Sequence, residues 1–184
     1  MTTNFPTLKS NRLQLGPLSA RDIPSIMTLA DNPNIAKMTL NLPHPYAEKD
    51  AIFWINMSHQ GFQNKDKYVF GVFLQDTQTF IGGIGLHLNT KHNHAEIGYW
   101  IGEPFWNKGY GSEALSAILD FGFNTLHLHK IYAQHLIENP ASGKVMIKNG
   151  MILEGEWVDH TKKNGEYRSV KQYRLTKTEY RNAL

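Results

Sequence analysis

Residues that could do chemistry cluster in one stretch of the chain. Trp106-Asn-Lys-Gly-Tyr-Gly111, followed by Ser112, sets two glycines two residues apart behind a lysine. Glu96-Ile-Gly-Tyr-Trp-Ile101, just before it, is apolar and aromatic after the glutamate and reads as a strand. After it, Leu115, Ile118, Leu119 and Leu126 keep helical spacing. A helix start carries unpaired backbone N–H groups and a partial positive charge, so anions bind there. Glycine lets a phosphate come close to the backbone. The turn therefore reads as a pyrophosphate site, with Lys108 adding charge. Gly109 to Ala114 also satisfies G-x-G-x-x-A, but the motif follows a strand meander, and Ile131 stands where a ribose-binding acid belongs. No Gly-Lys-Ser/Thr is present, which excludes a Walker loop.

Two further groups invite a role. Glu96 opens an apolar strand, where a carboxylate is either a solvated strand end or a site residue. Asn139 and Ser142 flank a helix start, where the asparagine caps and the serine faces solvent unless a ligand recruits both. Nine histidines raise the question of a metal. His92 and His94 lie two apart at a turn with His87 nearby, but only Glu96 supplies a carboxylate, so no metal site is expected.

The elements that position these residues follow from periodicity. Arg12 to Leu18 alternates as a strand, and Ser19-Ala-Arg-Asp22 is a capping box for a helix carrying Ile23, Ile26, Met27 and Ala30. Asp31-Asn-Pro33 stops it, and a proline-rich loop, Leu42 to Pro45, follows. A second helix runs from Glu48 to about Gln60, with Gly61 at its end. Tyr68–Leu74, Phe80–Leu86 and Glu96–Ile101 form a meander of antiparallel strands. Then come a long helix from about Gly109 to Leu126, a strand from Lys130 to Ile137, and a helix from Asn139-Pro140 to Asn149-Gly150. Ile152–Val158 and Tyr167–Leu175 pair as a hairpin across Lys162–Gly165.

With 184 residues, 41% of them hydrophobic, the chain fits a single domain, residues 1–184. It has no cysteine, which excludes disulfides, thiolate metal sites and a cysteine nucleophile. No apolar run reaches the roughly 18 residues of a membrane span, and the N-terminal residues show no signal-peptide pattern, so a cytoplasmic location is expected. The net charge of +3 is scattered, which does not indicate nucleic-acid binding.

Glu96-Ile-Gly-Tyr-Trp-Ile101, Trp106-Asn-Lys-Gly-Tyr-Gly111, Asn139-Pro-Ala-Ser142 and Lys148-Asn-Gly150 together resemble the GNAT superfamily of acyl-CoA N-acyltransferases. Within it, the chain is most similar to the RimJ/RimL type, which acetylates N-terminal amino groups of ribosomal proteins. The resemblance spans about Leu8 to Tyr180. It departs from the family's Q/R-x-x-G-x-G/A by placing Trp106 first, and from the subgroup's late pattern at Met151, Ser169 and Val170. The resemblance implies an α+β fold with a central mixed, mostly antiparallel sheet of about seven strands flanked by about four helices. It implies acetyl-CoA as co-substrate, held by Trp100, Ile101, Gly102, Trp106, Asn107, Lys108, Gly109, Tyr110, Gly111, Ser112, Asn139 and Ser142. The pantetheine arm would pair with the strand around Trp100–Gly102 where the sheet splays, and backbone N–H groups near Trp100 would polarise the thioester. Glu96 falls where relatives keep a general base, Asn139 would bond the cofactor amides, and Ser142 would protonate the leaving thiolate, with Tyr132 and Tyr110 as fallback donors. Tyr99, on the other strand face, is expected in the core. The implied acceptor is an amine, above all the N-terminal α-amino group of a protein or peptide. The alternatives are a small amine (amino acid, polyamine or antibiotic) and a non-catalytic CoA-binding role. A homodimer is expected, paired through the C-terminal strand edges.

Overall fold

The computed structural model describes residues 4–182. The sheet has eight strands: β1 Leu8–Lys9, β2 Leu13–Gly16, β3 Lys67–Leu74, β4 Phe80–Asn89, β5 His94–Ile101, β6 Lys130–Leu136, β7 Ile152–Lys163 and β8 Glu166–Thr176. Their spatial order is β1-β2-β3-β4-β5-β6-β8-β7. Every adjacent pair is antiparallel except β5 and β6, which run parallel. A parallel pair needs a crossover, and α4 (Tyr110–Asp120) supplies it, continued by one wide helical turn over Phe121–Thr125.

Two apolar cores follow from this layering. Ala114, Leu115, Ile118 and Leu119 of α4, with Met146 of α5 (Pro140–Lys148), pack on one sheet face against Ala95 and Ile97. On the other face, Ile26 and Ala30 of α1 (Ile23–Ala30), Ile35 of α2 (Pro33–Met38) and Ala51 and Ile55 of α3 (Glu48–Asn64) pack with Trp100. The period-two alternation of β5 thus divides its side chains between the two cores.

The mixed, mostly antiparallel sheet is as the resemblance implied. The differences are local. Asn32-Pro33 ends α1 but also starts α2, because the Asn32 side chain accepts from the amides of Asn34 and Ile35. Gly61 does not end α3: a Cβ there would lie 2.5 Å from Cβ of Lys67, so the glycine serves close packing, and Lys65 in the left-handed region closes the helix instead. β7 runs five residues past Val158, through a bulge, to a two-residue turn at Asn164-Gly165 with positive φ at both positions. A short terminal helix, α6 (Lys177–Asn182), is additional.

Candidate active site

The pairing of β5 with β6 covers only His94↔Lys130 to Ile97↔Ala133. Both strands continue, β5 to Ile101 and β6 to Leu136, without facing each other in register. The sheet therefore opens between them, while the other edge of β5 stays paired with β4 as far as Gly82↔Ile101. The amide of Gly102 donates to the Ile81 carbonyl, 2.8 Å. Alternation in an antiparallel ladder then turns the backbone groups of Trp100 and Gly98 toward β4, and those of Tyr99 and Ile101 toward the opening. This corrects the expectation for Trp100, whose peptide groups are not the ones on offer. Its side chain is buried against Trp54 and Phe80. Gly102 is likewise packed against Leu29. The Trp106 indole N–H donates to the Ile101 carbonyl, 2.5 Å. Trp106 thus shapes the end of the strand, leaving the Ile101 N–H and the Tyr99 peptide groups along the open edge.

The start of α4 faces this edge. Gly109 sits at φ 80 as the residue before the helix and has no side chain to cap it, so the first amides of α4, from Tyr110 to Ser112, remain open to a ligand. Asn107 also takes a left-handed conformation, φ 60, which a short polar residue tolerates. A Cβ on Gly111 would touch Ile101, Tyr99 and Val145 only at ordinary contact distance, which places this turn beside β5 and α5. Asn149 of Lys148-Asn-Gly150 donates to the Ser112 hydroxyl, 3.0 Å, joining the end of α5 to the start of α4.

A distant residue braces the loop. The Arg12 guanidinium pairs with Glu113, 2.7 Å, donates to the Lys108 carbonyl, 3.0 Å, and lies over the Tyr110 ring, 4.5 Å. Burial pushes the Glu113 carboxyl up, but the Arg12 amide, the Ser10 hydroxyl and the Arg12 guanidinium outweigh it and hold the group below its usual range. The ring of Tyr110 is thereby part of the brace. Nothing in the local sequence marks Arg12, which is about a hundred residues away and joins the loop only through β2.

The two faces of the opening carry different chemistry. On the α4 side, the Tyr99 hydroxyl lies 2.8 Å from Oγ of Ser142 and donates to the Ser142 carbonyl at 3.3 Å. Burial pushes the Tyr99 phenol up to about 12, so it keeps its proton at neutral pH. Tyr99 is not plain core, as its position in an apolar strand suggested. The Asn139 side chain accepts from the Ser142 amide, 3.2 Å, and donates to the Met38 carbonyl, 3.0 Å. It caps α5 and ties it to the end of α2.

On the other face, Glu96 stands beside Tyr132, its register partner across the parallel pair. Burial pushes the Glu96 carboxyl above its ordinary value, and the nearby Tyr132 phenol holds back part of the rise. Burial, then the charge of Glu96, raises Tyr132. Both line a cavity of about 410 Å³ with Gln134, Trp157 and His160. Lys130 also borders it, but its ammonium is paired with Glu154, 2.7 Å. Gly98, between Glu96 and Trp100 on this face, is exposed, and a Cβ there would meet nothing within 4 Å. The face therefore has a window beside Glu96, at the level where β5 and β6 part. Among the described residues, no group of three metal-ligating side chains converges, and no helix is long and apolar enough to cross a membrane.

Comparison with known proteins adds independent findings. The family model described as the acetyltransferase (GNAT) domain matches residues 12–152. An uncharacterized N-acetyltransferase, YoaA of Bacillus subtilis, is 31% identical over 94% of this chain and 98% of its own length. The ribosomal-protein-serine acetyltransferase of Escherichia coli is 28% identical over 72% of this chain and 74% of its own. The crystal structure of the spermidine N-acetyltransferase from Vibrio cholerae with CoA and spermine superposes with a TM-score of 0.79 at 26% identity, covering 94% of this chain and all of that one.

Proposed function

Since this chain belongs to the GNAT acetyltransferase family and is an N-acetyltransferase, we propose that it transfers an acetyl group from acetyl-CoA to the N-terminal α-amino group of a protein or peptide, in the manner of the RimJ/RimL type. The observation that carries this reading is the parting of β5 from β6 after Ile97, with a carboxylate on one face and a phenol–hydroxyl pair on the other.

The residues present fit acetyl-CoA. The turn from Asn107 with Lys108 to the uncapped start of α4 at Ser112 suits a pyrophosphate, and the Tyr99 peptide groups with the Ile101 N–H suit an amide-bearing arm laid along the strand edge. Bound there, it would supply an electrophilic acyl group and a good leaving group. Glu96 is the base, taking a proton from the acceptor ammonium directly or through water; a carboxyl raised by burial is better matched to that task than an exposed one. Direct attack then needs no covalent enzyme intermediate. On the opposite face, Ser142 donates a hydrogen bond that stabilises the departing thiolate, and the Tyr99 hydroxyl, turned to donate to Oγ, orients it. Asn139 acts by holding the start of α5, so that Ser142 faces the opening.

The same reading treats residues 1–184 as a single cytoplasmic domain. It assembles as a homodimer through the outer strand β7, whose Leu153, Trp157 and Val158 are exposed. Light scattering at micromolar protein should give twice the chain mass, and a monomer would remove that part. The activity is tested by acetyl-CoA turnover against a panel of peptides and small amines. Peptides with a free N-terminus should be acetylated and N-terminally blocked ones should not. Turnover on small amines alone would overturn the peptide assignment.

A further inference from the structure

The acceptor-side face holds a second cavity, of about 300 Å³, between α2 and the tip of the β7–β8 hairpin. Tyr132, Gln134 and Leu136 alternate onto one face of β6; the first two line the Glu96 cavity and the third lines this one. The two cavities are therefore neighbours along one strand. Four residues of strand, about 13 Å, separate the level of Tyr132, and so of Glu96, from that of Leu136.

Their charges differ. The Glu96 cavity offers one unpaired carboxylate. The second is bordered by Lys37, Lys163 and Arg168, against a single carboxylate, Glu138. Arg168 pairs with Glu138, 3.1 Å, and with Glu166, 2.5 Å. His44 also borders the cavity and pairs with Asp31, 3.2 Å. The remaining two cations have no carboxylate partner among the described residues. The Lys163 ammonium donates to the Ala36 and Thr39 carbonyls, which fixes it at the C-terminal end of α2 and pins the hairpin tip there. Burial, then the charge of Arg168, pushes the Lys163 pKa down, as expected of a fixed cation short of a counter-ion. The cavity is thus a preformed, net positive cradle on the acceptor side.

On the premise of the peptide-acceptor reading, we propose that this cradle binds an acidic side chain of the acceptor, about four residues in from the amine that Glu96 receives. An extended peptide advances about 3.3–3.6 Å per residue, so four residues span the separation of the cavities. A carboxylate seated there gains a charge-assisted hydrogen bond from Lys163, whose ammonium is already fixed, and Lys37, exposed on α2, adds attraction. A polyamine stretched along the same path would meet like charge instead.

The test is a set of octapeptides with free N-termini, identical except for Glu, Gln or Lys at the third to fifth positions. Acetylation is measured with the intact protein and acetyl-CoA, and binding is measured by fluorescence anisotropy without it. The Glu peptides should have a KM about tenfold below that of the Lys peptides, the worth of a charged hydrogen bond. The same order should hold in binding, and the gap should narrow with added salt. Lys37→Glu, at an exposed helix position, should reverse the order of the Glu and Lys peptides. Lys163→Met should flatten it; if that variant loses the hairpin contact and fails to fold, the Lys37→Glu result decides. Equal KM for all three peptides in the unaltered protein would overturn the cradle while leaving the N-acetyltransferase of peptides intact. Turnover of spermidine with no peptide bound or acetylated would overturn both.

Discussion

The two sides of the opening between β5 and β6 are built differently. The α4 side is mostly backbone: uncapped amides after Gly109, the free edge of Tyr99 and Ile101, and one hydroxyl pair. The acceptor side is mostly side chains, with Glu96, Tyr132, Trp157 and His160 carried in by β5, β6 and β7. A backbone-built site recognises what is constant in a ligand, since every chain has peptide groups at the same spacing. A side-chain-built site can change with each substitution. On the proposed function, the contrast would let the one side keep a common co-substrate while the other sets the acceptor.

The division makes separable demands on mutants. Gly109→Asp puts a negative charge where the phosphates should lie, and aspartate tolerates the left-handed backbone better than most residues. The protein should fold, and the gain in melting temperature from CoA, a stabilisation of about 2.7 kcal/mol at a hundredfold over Kd, should vanish. An undiminished shift would place the phosphates elsewhere. On the other side, Glu96→Gln should lower kcat by roughly 10²–10⁴ with the KM for acetyl-CoA little changed. Because burial raises the Glu96 pKa, the unaltered enzyme should lose its base as pH falls, at a higher pH than an ordinary glutamate would. The deficit of Glu96→Gln should shrink as pH rises and the amine loses its own proton. A near-normal kcat at every pH would mean that positioning suffices.

Tyr99→Phe should lower kcat by about tenfold, since a thiolate needs little help to leave, and should destabilise the fold by about 1 kcal/mol, one hydrogen bond. Ser142→Ala with Tyr99→Phe should cost little more than either alone if the pair acts as a unit; multiplied effects would separate them. The smallest effect belongs to Arg12→Met. It removes a partly exposed ion pair, a hydrogen bond to the Lys108 carbonyl and a ring contact, so it should weaken CoA binding by less than about tenfold, with no effect on acceptor KM. A changed acceptor KM would show that the two sides are coupled through the loop.

The motifs that lie within one element were legible in the chain order. Gly109 and Gly111 announced an uncapped helix start, and Asn139-Pro140 announced a cap, because each depends on a few consecutive residues. The alternation of β5 was legible too, and it put Tyr99 opposite Glu96. What lies opposite was not. Tyr99 looked like core because its partner, Ser142, arrives on another element 43 residues later. Trp100 is a cofactor contact only by the family resemblance, and neither the turn of its peptide groups toward β4 nor the burial of its side chain against Trp54 is visible along one strand. The α2 helix was hidden by Asn32-Pro33, which can end one helix and begin another with the same residues.

By itself, then, the sequence determined the kinds of element, their order and the backbone chemistry at their ends, since these rest on local periodicity, glycine conformation and capping. The tertiary structure alone decided where the parallel pair stops matching, which peptide groups face the gap, that Arg12 braces the loop from about a hundred residues away, and that Lys163 fixes a positive cavity further along β6 from the one Glu96 lines. Each of these depends on the register and packing of strands far apart in the chain, and register is set by the buried faces of the whole sheet acting together.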